Sequence, residues 1–96
     1  MLRVTIQESP KAVTLILEGR LTGPWIGEVE RAWSAAADTT SGRNLVVDLT
    51  GVTFVEAEGK RLLRRIFKRG GELRANNDVL IKAIVEEIQG KRVEAQ

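Results

Sequence analysis

Apolar and polar residues alternate at the start of the chain, with Leu2, Val4 and Ile6 on one side and Arg3, Thr5 and Gln7 on the other. A period of two predicts a half-buried strand. Ser9-Pro10-Lys11 reads as a turn, and Ala12 to Glu18 (AVTLILE) is a second β-rich run that Gly19 ends. So short a connection predicts an antiparallel hairpin. The period then changes. After Leu21-Thr22-Gly23-Pro24, residues Ile26, Val29, Trp33, Ala36 and Ala37 recur at helical spacing, with Glu28, Glu30 and Arg31 on the other face. Thr22 or Gly23 suits the N-cap, and Pro24 the first turn, where its missing N–H costs nothing. Asp38 to Gly42 reads as a loop.

Asn44 to Leu49 (NLVVDL) is nearly all apolar, the pattern of a central parallel strand covered on both faces. Gly51 interrupts it, and Val52 to Glu58 reads as a loop. A second helix is predicted over Gly59 to Arg69, closed by Gly70-Gly71. Glu72 to Ala75 is a short strand. Asn76-Asn77-Asp78 offers an N-cap to a third helix with Leu80, Ile81, Ile84, Val85 and Ile88 turned inward, which Gly90 stops. The element order is therefore β-β-α-β-α-β-α. It predicts an α/β fold with a mixed sheet of about four strands, an antiparallel edge hairpin followed by parallel strands joined by right-handed crossovers, and three helices. The 96 residues fit one domain over residues 1–90, with Lys91 to Gln96 as a frayed tail.

Composition narrows the chemistry. The chain has no Cys, His or Tyr. Disulfides, thiolate nucleophiles, zinc-thiolate sites and a Ser-His-Asp triad are excluded, and no metal site is expected. No apolar run reaches the ~18 residues of a membrane span, and Met1-Leu2-Arg3-Val4-Thr5 does not read as a signal peptide. A cytoplasmic protein without membrane insertion is the expectation. Net charge is +2 but unevenly spread. Residues 1–59 carry five basic and eight acidic side chains, a balance of −3, whereas residues 60–96 carry ten and five, a balance of +5. Lys60, Arg61, Arg64, Arg65, Lys68 and Arg69 cover half of the second helix, with no acid between residues 60 and 69. This is either a solvated face or a docking surface for an acidic partner. Nucleic acid ranks below both, because no aromatics interleave with the basic residues as a stacking platform requires.

The run from Leu45 to Gly59, LVVDLTGVTFVEAEG, resembles the signature of STAS domains, the family of anti-sigma-factor antagonists and of the cytoplasmic domains of sulfate transporters. In its signalling members an apolar strand ends in Asp-Leu-Ser/Thr-Gly-Val, then come an aromatic residue and an Asp-Ser-Ser-Gly tetrad that opens a helix. Leu17 to Thr22 is similar to the family's Gly-x-Leu-Asp/Thr stretch. The resemblance implies a non-enzymatic protein-interaction module that binds a serine-kinase-like anti-sigma factor. The alternatives are an accessory STAS subunit of a membrane transport complex, bound to its ATPase, and a small nucleic-acid-binding protein.

The tetrad departs from the family pattern, reading Glu56-Ala57-Glu58-Gly59. Glu58 stands where the family's phosphorylated serine would be, so the resemblance implies a degenerate phospho-acceptor position. Partner contacts are expected from Thr50, Thr53, Glu56, Ala57, Glu58, Gly59, Arg61, Arg64 and Arg65. Catalytic residues and cofactors are not expected, and the two carboxylates compete for the field in which a nucleotide phosphate would sit. Asp48 is expected to bind loop amides. Trp33 suits the core, while Trp25 could also be an interface anchor.

Overall fold

The computed structural model describes residues 1–38, 42–75 and 78–90. Its elements are β1 (Leu2–Glu8), β2 (Ala12–Leu21), α1 (Pro24–Asp38), β3 (Asn44–Val55), α2 (Ala57–Lys68), β4 (Glu72–Arg74) and α3 (Val79–Gln89), in the order the pattern predicts. They form one four-stranded sheet in the order β1-β2-β3-β4. The β1–β2 hairpin is antiparallel, and β2–β3 and β3–β4 are parallel. The proposed tail, Lys91 to Gln96, lies outside the described residues, as do Asn76 and Asn77 and the loop residues Thr39 to Ser41.

All three helices feed one buried cluster. Val13, Leu15 and Leu17 of β2 and Leu45, Val47 and Leu49 of β3 meet Val29, Trp33 and Ala36 of α1, Leu62, Leu63 and Ile66 of α2, and Ile81, Val85 and Ile88 of α3. Alternation along the strands puts Thr14, Ile16, Val46 and Asp48 on the other face. Val46, at 2% exposure, is fully buried there, although its neighbours across the strands are Thr14 and Glu72. β3 is thus central and parallel as expected, but helices cover one of its faces.

Three sequence expectations need correction. First, β3 does not stop near Gly51. The register between β2 and β3 slips twice, between Ile16 and Glu18 and between Gly19 and Arg20. Beyond the slips the strands still pair, Glu18 with Gly51, Gly19 with Val52, Arg20 with Phe54 and Leu21 with Val55. A slip re-aims side chains without ending the ladder. β2 likewise runs through Gly19 to Leu21, and the expected loop is mostly strand. Second, α2 begins at Ala57, two residues before the predicted start, with Glu56 in extended conformation at its N-cap. Third, the apolar stripes were read too wide. Ala37 is exposed, and Leu80 is 73% exposed. In α1 and α3 burial follows one narrow column, at i, i+4 and i+7, whereas α2 buries the broader stripe of Gly59, Leu62, Leu63 and Ile66.

The predicted cap at Asp78 is present. Its carboxylate accepts from the backbone N–H of Leu80 at 2.9 Å and of Ile81 at 3.2 Å. Trp33 is in the core, and Trp25 is half-buried and packed against the core.

Candidate functional site

The site is built where β3 runs into α2. Asp48, on the open face of the sheet, accepts from the backbone N–H of Thr50 at 2.8 Å and from the Thr50 hydroxyl. This is the local side chain–backbone bonding expected of that residue. The Thr53 hydroxyl donates to the carbonyl of Gly19 at 3.3 Å, across the slipped register. Phe54, 43% exposed, lies under the guanidinium of Arg20 with 4.7 Å to the ring centroid. That is cation–π distance.

The two tetrad carboxylates do different things. Glu56 makes no cap bond to its own helix. Its Oε1 accepts from the backbone N–H of Gly23 at 2.9 Å, next to the start of α1. The β3–α2 junction is therefore tied to the β2–α1 junction by a charge-assisted bond. The backbone N–H of Glu56 also donates to the carbonyl of Leu21 at 3.1 Å. Glu58 stands in the first turn of α2, where a negative charge meets the positive end of the helix dipole. Its Oε2 pairs with Nη1 of Arg61 at 2.5 Å, and both side chains are mostly exposed. Exposed pairs of this kind add little stability, but this one keeps a cation beside the carboxylate.

Ala57 is exposed in the first turn, whereas Gly59 is buried. A Cβ on Gly59 would stand 3.0 Å from Leu21 Cγ and 3.1 Å from Val55 Cγ1. Gly59 therefore lets α2 approach the ends of β2 and β3 closely, while its neighbours form the surface.

The basic face of α2 is more varied than its sequence suggests. Arg65 pairs with Glu30 of α1 at 3.2 Å, and Arg69 lies over the Trp33 ring at 5.7 Å. Lys60, Arg64 and Lys68 make no ion pair among the described residues. Glu58, Arg61, Arg64, Arg65 and Lys68 line an open groove of about 490 Å³. Apart from Ala57 and Gly59, the site residues anticipated from sequence thus fall in two groups. Glu58, Arg61, Arg64 and Arg65 share this groove. Thr50, Thr53 and Glu56 hold the strand end and its junction.

Sequence reasoning missed a second surface. Phe54 and its neighbours Thr53 and Val55 line an apolar groove of about 240 Å³ with Leu80, Ile84 and Glu87 of α3. The adjacent hydrophobic residues Phe54 and Leu80 are both exposed. The signal was the aromatic residue at the end of an alternating strand, where the slips change which side chains turn outward.

No protein-family profile and no curated protein matches the sequence. Solved structures do match. An anti-sigma factor antagonist from Mycobacterium paratuberculosis superposes with a TM-score of 0.78 over 99% of this chain and 85% of its own, at 16% identity. The STAS domain of an antisigma-factor antagonist from Rhodobacter sphaeroides superposes with a TM-score of 0.51 over 78% of this chain and 85% of its own, at 20% identity. The fold is that of a STAS domain. A structure of Mglu also contains it, with a TM-score of 0.61 and 22% identity over 80% of this chain, which spans 20% of Mglu. In this STAS fold the β3–α2 junction and the first turn of α2 carry the tetrad Glu56-Ala57-Glu58-Gly59. No helix among the described residues is long and apolar enough to cross a membrane.

Proposed function

We propose that this STAS domain is a non-enzymatic regulatory module, acting in the cytoplasm by reversible docking onto a serine-kinase-like anti-sigma factor. The observation that carries the reading is the basic groove of Glu58, Arg61, Arg64, Arg65 and Lys68, which begins at the position of the family's switch serine. The antagonist structures with the same fold support it. Docking uses charge complementarity, with α2 presenting cations to an acidic surface. Glu58 has no hydroxyl to phosphorylate. Its single charge, already matched by Arg61 at 2.5 Å, is a weak substitute for a phosphoserine's charge of about −1.5 to −2.

Calorimetric titration against an anti-sigma factor encoded in the same genome tests this. Reversing Arg61 and Arg64 together to Glu should weaken binding by about tenfold or more, with thermal stability nearly unchanged. Binding indifferent to that double reversal, or binding to a transporter ATPase and to no anti-sigma factor, would overturn the proposal.

A second prediction concerns Glu58. Glu58→Ala frees Arg61 for the partner and removes a like charge from an interface that attracts acids. It should tighten binding several-fold. Glu58→Ser should do the same and restore a hydroxyl at the switch position, which incubation with the kinase followed by mass spectrometry would detect. Weaker binding by both variants would mean that the partner presents a cation to Glu58.

A further inference from the structure

The outward face of α3 is self-complementary, and we propose that it docks a second copy of this chain. The outward side chains of α3, exposed except for the half-buried Ile84 and Glu86, form two columns. Val79, Lys82, Ala83 and Glu86 border one shallow depression. Leu80, Ala83, Ile84 and Glu87 border the groove that Phe54 closes on the other side. Val79 and Leu80 are 79% and 73% exposed, so two large apolar side chains at the start of the helix have nothing over them among the described residues. Neighbouring exposed apolar groups of this kind mark interaction sites.

The charges select the occupant. Lys82 lies towards the N-terminal half of α3, and Glu86 and Glu87 towards its end. None of the three is in an ion pair among the described residues. At about 1.5 Å rise and 100° per residue, Lys82 and Glu86 lie on the same side of the Ala83 position. Consider two copies of α3 crossing antiparallel about a two-fold axis at Ala83. Lys82 of each copy then stands roughly 3 Å along the axis from Glu86 of the other, and the pair is made twice. On the opposite side, Leu80 of each copy comes level with Ile84 and Glu87 of the other, over the groove that ends at Phe54. Ala83 at the centre lets the helices approach closely. A parallel two-fold pair would instead turn the Lys82–Glu86 side of each copy towards the Leu80–Ile84 side of the other, and would form neither ion pair. The face therefore specifies an antiparallel pair, and a two-fold pair leaves the basic groove of α2 outside the contact column.

Sedimentation velocity over a concentration series from micromolar to millimolar tests this on the full chain, with circular dichroism confirming that each variant folds. The wild-type chain should show a monomer–dimer equilibrium. Lys82→Glu and Glu86→Lys should each weaken self-association by about tenfold or more, because each replaces two attractive contacts with two repulsive ones. An equimolar mixture of the two single variants should associate more strongly than either alone. The double variant carrying both changes should recover the wild-type equilibrium. Leu80→Glu should abolish the dimer, and Arg61→Glu should leave it unchanged. A chain that is monomeric at millimolar concentration overturns the proposal, even if Leu80→Glu abolishes binding to an anti-sigma factor, which would assign the groove to that partner. A dimer indifferent to Leu80→Glu and to the charge exchange overturns it as well.

Discussion

Leu63→Ala should destabilise the domain by about 2–5 kcal/mol. Leu63 has no exposed surface, and it belongs to the cluster in which α2 meets the sheet. Truncation removes apolar area and leaves a cavity between a helix and strands that cannot collapse without dragging the basic groove. Against the total stability of about 5–15 kcal/mol usual for a domain, such a loss is large. Urea unfolding followed by circular dichroism reads it as a lowered midpoint at unchanged slope. A loss below about 1 kcal/mol would mean that α2 re-seats easily and that its surface is not rigidly held.

Gly19→Val should cost about 2–4 kcal/mol, from backbone strain together with overpacking. Gly19 has φ +115°, which a β-branched residue scarcely adopts, and a Cβ there would stand 2.3 Å from the carbonyl oxygen of Met1. That oxygen accepts the backbone N–H of Arg20 at 3.1 Å, so relieving the clash disturbs the end of the β1–β2 hairpin, where Leu2 pairs with Gly19. Gly27→Ala is the contrasting case. Gly27 lies inside α1, and the nearest atom to a new Cβ is Arg31 Nη1 at 3.7 Å. That change should stabilise by about 0.5–1 kcal/mol, because a helix interior favours Ala over Gly. Thermal melts of the two variants side by side should move in opposite directions.

The order of the elements was legible because each one has its own period and its own stop. Leu2, Val4 and Ile6 alternate, Val29, Trp33 and Ala36 recur along one side of a helix, and Asp78 caps where it should. The end of β3 was not legible. Gly51 looks like a terminator when β3 is read alone, and β3 continues only because β2 also slips, a property of two strands together. Leu80 was misplaced for a related reason. Leu80, Ile81, Ile84, Val85 and Ile88 make one broad apolar stripe in sequence, but a single helix lying on the edge of a sheet buries only the column of Ile81, Val85 and Ile88.

The site divides the same way. The contiguous run from Leu45 to Gly59 that carries the resemblance spans the β3–α2 junction, although the elements meet at Val55 and Ala57 rather than at Gly51 and Gly59. What those residues bond to was hidden. The acid that meets Arg65 comes from α1, the ring under Arg69 is Trp33, and the amide held by Glu56 belongs to Gly23. Each of these partners is about 35 residues away in sequence, and local charge patterning carries no information about them. Six basic residues on one helix therefore read as a uniform face, although only some of them are left to meet another molecule.

The bond between Glu56 and Gly23 has an optical consequence. Gly23 is followed by Pro24 and Trp25, and the backbone N–H of Trp25 donates to the carbonyl of Thr22 at 3.1 Å. The Trp25 ring is half-buried at the start of α1, in a chain with two tryptophans and no tyrosine. The other indole, Trp33, is shielded in the core beside Arg69. A molecule that draws on the Glu56 carboxylate should loosen the first turn of α1 and so change how much water reaches the Trp25 indole. Emission from this chain should therefore report events at the end of β3 with no label attached, and replacing Trp33 by Phe would leave the Trp25 signal alone.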